Sequence, residues 1–350
     1  MGRYVLQRLL LAIPQLGIVS VILFVIMNNI GDPLAIQMSS QRPPTGAELQ
    51  VMRRRMGLDK PIYLQYVYWL IGNDWTTVDV NGNGDPSTFI QGQRKGILRG
   101  DLGTSLTTHQ PTQQRIAERL PNTLLLMLPT YAIILILALA LGTFSALHKY
   151  SAWDNALTSW AFIFYSMPVF FVSLAMIYIF STAFHRWGLP YTPIAGMFEV
   201  GEEHTLPNLL RHMLLPVASL AIISAAGLNR YVRSSVLEVM NRDYVRTARA
   251  KGLRERYVFG IHVLKNAALP LITIVGLDLP FLLGGAVVTE RIFAWPGMGQ
   301  LFIESIGTAD YPVLMGILML IAVAVVVFQL LTDLTYSALD PRVRLAGARG

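Results

Sequence analysis

Charge-free apolar runs long enough to cross about 30 Å of hydrocarbon recur along the chain. The first is Leu9 to Gly31, behind Arg3 and Arg8. The second, Leu120 to Leu147, contains Pro121 and Pro129, and the third, Asn155 to Phe184, contains Pro168. Proline is tolerated in such helices where neighbours satisfy the freed carbonyl. His212 to Asn229 is a short fourth run, Asn266 to Thr289 a fifth that carries one acid, Asp278, and Tyr311 to Thr332 a sixth. The pattern predicts an all-α polytopic membrane protein with six transmembrane helices. No small-x-small cleavage site follows the first run promptly, so it reads as an uncleaved signal anchor with a cytoplasmic N-terminus. Six crossings return the C-terminus to the same side.

Between the runs lies one large polar piece, Asp32 to Arg119. Thr45-Gly46-Ala47-Glu48 has capping-box spacing before a short helix ending near Gly57. Residues 61–70 form an aromatic amphipathic stretch that fits the lipid interface, and Asn81 to Pro86 is turn-rich and reads as a mobile insertion. The organisation expected is therefore 1–31 as N-terminus and first helix, 32–119 as an extracytoplasmic segment, 120–335 as helices two to six with a cytoplasmic loop at 230–265, and 336–350 as a cytoplasmic tail.

Composition agrees with this pattern: 53% of the 350 residues are apolar and only 14% charged, against about 25% charged in soluble domains. Mean hydropathy is +0.48. The formal net charge of +7, which in a soluble chain would invite nucleic acid, resolves by side. Segment 230–265 alone holds nine Lys/Arg and three acids, the bias that places short loops in the cytoplasm. Cysteine is absent, which excludes disulfides, thiolate nucleophiles and Cys-ligated metals. Nor does the chain contain a Walker A, H-E-x-x-H or G-x-S-x-G motif, and its six histidines are scattered without an i, i+4 pair. No catalytic, cofactor or metal set is expected.

Arg230 to Pro270 reads as helix, stop, helix. Asn241 suits an N-cap, Asp243 places negative charge in the first turn, and Arg249 and Lys251 place positive charge in the last. Gly252 followed by apolar Leu253 fits a Schellman ending. Tyr244, Val245 and Ala248 share one face, with Arg242, Arg246 and Arg249 on the others. A short helix in a loop too small for its own core must bury that face elsewhere, for which a partner subunit is one candidate; the plainer alternative is a basic loop that anchors topology and binds anionic headgroups.

The same stretch resembles the cytoplasmic E-A-A-x3-G-x9-I-x-L-P loop of binding-protein-dependent ABC importer permeases. The glycine falls on Gly252, the preceding motif residues on Arg246-Thr247-Ala248, and the later quartet on His262-Val263-Leu264-Lys265. Only the second alanine, the glycine and the leucine keep the consensus identity. Asp243 to Leu253 is similar to the variant of the dipeptide/oligopeptide/nickel branch. Gly57-Leu58-Asp59-Lys60-Pro61, Gly100 to Ser105, Arg119-Leu120-Pro121-Asn122-Thr123, His212 to Pro216 and Glu290 to Gly299 also look like that branch's segments, in order over nearly the whole chain. The resemblance is to its B-type permease subunit.

It implies a multi-pass prokaryotic inner-membrane permease for di- or oligopeptides that forms half of a translocation pathway. The partners implied are a second homologous (C-type) permease, two cytoplasmic ATPases and an extracytoplasmic binding protein. ATP and magnesium would reside on the ATPases, with no cofactor on this chain. It also implies an ATPase-coupling set of Asp243, Tyr244, Arg246, Thr247, Ala248, Arg249, Gly252, Leu253, His262 and Leu264. Candidate pathway residues are Asp278, Gly284, Gly285 and Glu290. Alternatives stand beside these: Asp278 as a structural carboxylate bonded to a serine or to backbone near Pro280, Gly284-Gly285-Ala286 as packing within the chain or against the partner permease, Glu290-Arg291 as the outer membrane boundary, and Trp295 as part of a gate or as an interfacial anchor. A secondary, ion-coupled transporter with Asp278 as coupling acid is the competing function.

Overall fold

The computed structural model describes residues 2–31, 34, 44–199, 201 and 204–339; Asp32-Pro33 and the expected tail beyond 339 lie outside the described residues. Helices dominate, in the order α1 (Gly2–Ile30), α2 (Gly46–Met56), α3 (Ile62–Ile71), α4 (Thr112–Leu147), α5 (Ala152–Ser166), α6 (Val169–Met176), α7 (Leu206–Met240), α8 (Asp243–Ala250), α9 (Glu255–Ala267), α10 (Leu269–Leu282), α11 (Val287–Ile292), α12 (Met298–Gly307) and α13 (Tyr311–Leu339). Among the described residues five helices are long and apolar enough to span: Leu6–Asn29, Thr112–Leu147, Val169–Arg186, Leu206–Met240 and Tyr311–Thr335. A sixth span is available from α9 and α10 as a pair bent by 46°.

Three of the expected runs differ from the structure. The third is interrupted: Met167 and Pro168 are extended, with ψ of 134° and 138°, because proline's ring disfavours the helical region for the residue before it. α5 is therefore a separate helix, capped by Ser151, and the spanning helix begins at Val169. The fourth run is the middle of α7, 35 residues long and started by Thr205, whose hydroxyl accepts the Asn208 N–H. The fifth is broken twice, at the bend before Pro270 and after Leu282, where Gly285 takes a φ of +79°.

Contacts divide the chain into two compact units. One holds 121–300 and the residues from 324. Its main core joins Ile134 and Ala138 of α4, Val232 and Val236 of α7, Val245 and Ala248 of α8, Val258 and Val263 of α9, and Leu271 of α10.

The other unit is Leu6–Leu120 with Leu301–Val323. Thr45 and Glu48 form the expected capping box, and Gly57 ends α2 at a φ of +73°. α3 sets one face on α1: Tyr66 and Trp69 turn onto it, with ring centroids 5.4 and 5.8 Å from Phe24, and Ser20 shares a 2.8 Å hydrogen bond with the Tyr66 hydroxyl. Ile62, Tyr63 and Ile71 stay exposed. The turn-rich 81–86 stretch is the loop of a hairpin. It connects two antiparallel strands, β1 (Thr77–Asp79) and β2 (Phe89–Gln91), paired Thr77 to Gln91 and Asp79 to Phe89. The Asp79 carboxylate accepts the N–H of Gly82 at 2.7 Å and of Gly84 at 2.9 Å, which orders the loop.

Candidate functional site

α8 begins only two residues after α7 ends, and this changes the role of Asn241. It closes α7, its backbone N–H reaching the Glu238 and Val239 carbonyls and its side-chain amide donating to Leu237 O at 2.9 Å. Arg242 takes the N-cap place without a side-chain bond. The other end is as expected: Gly252 has φ +74°, its N–H donates to Arg249 O at 2.9 Å, and Leu253 N–H donates to Ala248 O at 3.4 Å. Those paired bonds are a Schellman ending.

Val245 and Ala248 are buried in the chain's own core, so α8 does not need a partner to cover its apolar face. The small 258–271 elements and α7 supply that cover. Tyr244, expected on the same face, is exposed, because it lies about 100° around the helix from Val245. Outside remain Tyr244, Arg246, Thr247 and Leu253. Asp243 is exposed and its carbonyl accepts the Thr247 hydroxyl at 2.9 Å. Arg242 pairs with Glu238 and Arg249 with Glu255, the latter at 2.6 Å; Arg246 has no such partner among the described residues. His262 and Leu264, both half-buried, sit in the wide π turn Val258–Leu264 of α9.

Glu290 is a fully buried carboxylate. Thr123 Oγ1 donates to it at 3.0 Å and Gln300 N–H at 3.0 Å, while the same Thr123 oxygen accepts Met298 N–H at 2.7 Å. Alongside, Trp295 Nε1 donates to Asn122 O and Asn122 Nδ2 to Pro296 O, both at 2.9 Å. Asn122-Thr123 and the 290–300 segment are thus clipped together, and Trp295, buried with Leu126, Met213 and Val217, is a core residue rather than an interfacial anchor. Gly285 belongs to the same clip. Any Cβ there would lie 2.7 Å from Gly299 N and run into the Glu290 carboxylate. Gly284 sits in the turn after α10, its N–H bonded to Phe281 O at 3.1 Å. Gly285 therefore packs within the chain.

Burial pushes the Glu290 carboxyl above the usual glutamate range, with the hydrogen bonds from Gln300 and Thr123 pulling it back. A raised folded value means that its contribution to stability is complete below the ordinary glutamate range and is lost as pH rises through the folded value. The Glu290→Gln chain should therefore gain on the wild type as pH rises from about 4 to about 8, read as the difference in thermal midpoint in detergent. A difference that does not change with pH overturns this reading of the carboxyl.

Asp278 is exposed on α10, and its partner is neither a serine nor backbone near Pro280: the Tyr131 hydroxyl of α4 lies 3.4 Å from Oδ2. The structure thus brings Glu290 and Gly285 together and leaves Asp278 apart from them. Among the described residues no group of three acidic or histidine side chains is placed to hold a metal.

Two charged clusters had no local sequence signal. Asp154, buried at the start of α5, accepts Arg233 Nε and Nη2 of α7, each at 2.8 Å, the Tyr150 N–H at 2.8 Å, and the Ser145 hydroxyl. Asp310, also buried, accepts the Ser105 hydroxyl and the Leu106 N–H at 3.0 Å, with Arg115 at 3.5 Å. Only the pairing of each acid with a distant arginine could have marked them, and a single sequence does not reveal that pairing.

Comparison with known proteins bears on these features together. Residues 138–345 match the family of binding-protein-dependent transport system inner membrane components, and residues 1–127 match the N-terminal region of such membrane components. The oligopeptide transport system permease protein AppB of Bacillus subtilis is 38% identical over 98% of this chain and 99% of its own length. The dipeptide transport system permease protein DppB of Escherichia coli is 31% identical over 98% and 99%. The di/tripeptide transport system permease protein DppB of Pseudomonas aeruginosa is 32% identical over 97% and 98%. These matches overturn the ion-coupled alternative, for which the broken fifth span would otherwise have spoken. They run through the Gly252 ending and the Glu290 clip alike, and the chain belongs to the binding-protein-dependent transport system inner membrane components, as a permease subunit of an ATP-driven importer.

Proposed function

We propose that this permease imports di- or oligopeptides and that α8 is where a separate ATPase drives it. The named peptide permeases among its relatives support the substrate class. The observation that carries the coupling role is the two-sided character of α8: Val245 and Ala248 are anchored in the core shared with α7, α9 and α10, while Tyr244, Arg246 and Thr247 face outward. Force applied to the outer face reaches the spanning helices through close-packed side chains, which transmit displacement because they compress little. Arg246, unpaired among the described residues, meets an acidic rim on the ATPase, an interaction that sets association rate and partner choice. Gly252 fixes the end of the helix in a conformation open to glycine. His262 and Leu264 brace the far side through α9.

In this arrangement both termini and 230–265 are cytoplasmic, and 32–119 is extracytoplasmic, facing the binding protein. A second permease subunit of the C type completes the pathway, in the bilayer and without nucleic acid. ATP and magnesium bind on the two ATPases. Asp278, exposed beside the Tyr131 hydroxyl, offers the pathway an acceptor for a peptide ammonium, and the Glu290 clip holds the outer end of α10 and α11 as one piece.

The test is Arg246→Glu in the assembled importer. Membrane insertion and thermal midpoint should stay at wild-type values, while ATPase co-purification and ATP-driven peptide uptake fall at least about tenfold, a loss of about 1.4 kcal/mol or more in association. Gly252→Val should give the same loss of uptake. If both variants retain the ATPase and transport normally, α8 is not the coupling element.

A further inference from the structure

Arg94 lies in the second unit, and its main chain is fixed from both sides by Asn73: the Arg94 N–H donates to Asn73 Oδ1 at 3.0 Å, and the Arg94 carbonyl accepts Asn73 N–H at 2.9 Å. Its side chain lines two cavities at once. One is a cavity of about 600 Å³ with a mixed polar and apolar lining, within the roughly 300–1,000 Å³ common for small-ligand sites. The other is an apolar slot of about 90 Å³ walled by Phe24, Trp69 and Met315.

The guanidinium has no hydrogen bond or ion pair among the described residues, which distinguishes it from its neighbours. Arg99 is paired with Asp74 at 2.6 Å and Arg115 with Asp310 at 3.5 Å. The one nearby acid, Asp101, spends its two oxygens on the N–H groups of Lys95 and Gly103, each at 2.9 Å. Desolvation pulls the Arg94 guanidinium below its usual value. Donors that are unpaired among the described residues, on a partly buried arginine, favour an anionic partner, and a planar fork of donors at the wall of a cavity matches a carboxylate bidentately.

The slot decides which carboxylate. Its volume, below the ~150 Å³ of an apolar cavity that takes up benzene, suits one small aliphatic side chain. We propose that Arg94 captures the C-terminal carboxylate of a short peptide, with the peptide's last, aliphatic side chain in the 90 Å³ slot and the remainder in the 600 Å³ cavity. This deepens the permease reading and rests on it for the substrate class. The chain thereby holds a peptide site of its own, where the segment after its first spanning helix meets α1 and the start of α13.

The test is titration calorimetry on the full-length chain in phosphatidylcholine nanodiscs, with Ala-Ala-Val as the probe and its C-terminal amide as control. The acid should bind saturably and the amide at least about tenfold more weakly, a comparison that needs no variant. Arg94→Gln should weaken the acid by the same factor. Equal binding of acid and amide overturns the proposal, as does the absence of saturable binding, or phosphatidylglycerol nanodiscs that abolish peptide binding, which would make the occupant a lipid headgroup. Uptake by the assembled importer separates this from the permease reading. Arg94-dependent binding without any ATP-driven uptake leaves the site standing and removes the permease reading; uptake with acid and amide bound alike does the reverse.

Discussion

A chain carrying Val245→Asp is expected to lose about 3–5 kcal/mol of stability, the scale of an uncompensated charge in a protein interior. Val245 is completely buried, as are Val236, Val258 and Val263 of the same cluster. A carboxylate there either stays ionised among valine methyl groups or takes up a proton, and it loses its hydration in both cases. The nearest relief is for α8 to leave the core. The measurable results are a lower unfolding midpoint in detergent and faster amide exchange confined to α8 and α9, with uptake abolished as a consequence. Arg246→Glu, one residue along, leaves the midpoint unchanged because its side chain lies outside. Should Val245→Asp unfold at the wild-type midpoint, α8 is not seated as described, and no force could pass through it to α7.

The contrast between those neighbours is also where the sequence was most and least readable. Local chemistry was legible: the capping box of Thr45 and Glu48 and the Schellman ending at Gly252 are decided by residues within one turn, and both formed as expected. Asn241 was misplaced because α7 and α8 nearly touch, and the same residue suits the end of one helix and the start of the next. Pro168 carried its own warning, since the residue before proline avoids the helical region, yet a continuous apolar run masked the break. Trp295 shows a different failure. Composition cannot tell a ring that meets lipid from one that meets Leu126, because the deciding partner lies far away in sequence. The six-span outline was visible, therefore, while the contacts that fix its interior were not, Asp278 with Tyr131 and Glu290 with Thr123 among them.

Replacing Asp154 by alanine is the second large effect expected, again about 3–5 kcal/mol, since it breaks a buried pair and strands the other charge. Asp154 is almost wholly buried and Arg233 about three-quarters so. The carboxylate collects the end of α4 through Ser145, the turn through Tyr150 N–H, and α7 through both Arg233 nitrogens. The Arg233 guanidinium, with Ser145 and the Tyr150 N–H assisting, holds Asp154 well below the usual carboxylate range. A depressed folded value makes its contribution present above the ordinary aspartate range and lost as pH falls through the folded value. The wild-type midpoint should therefore drop in acid, whereas Asp154→Asn starts lower and drops less, opposite in sense to the Glu290 comparison. Adding Arg233→Leu to Asp154→Ala should restore much of the loss, because the stranded charge is then gone. A double variant no more stable than the single would mean that the cluster acts through shape alone. Restored stability without restored uptake would show instead that α7 must be held to α5 for motion at α8 to reach the membrane, an effect separate from keeping the chain folded.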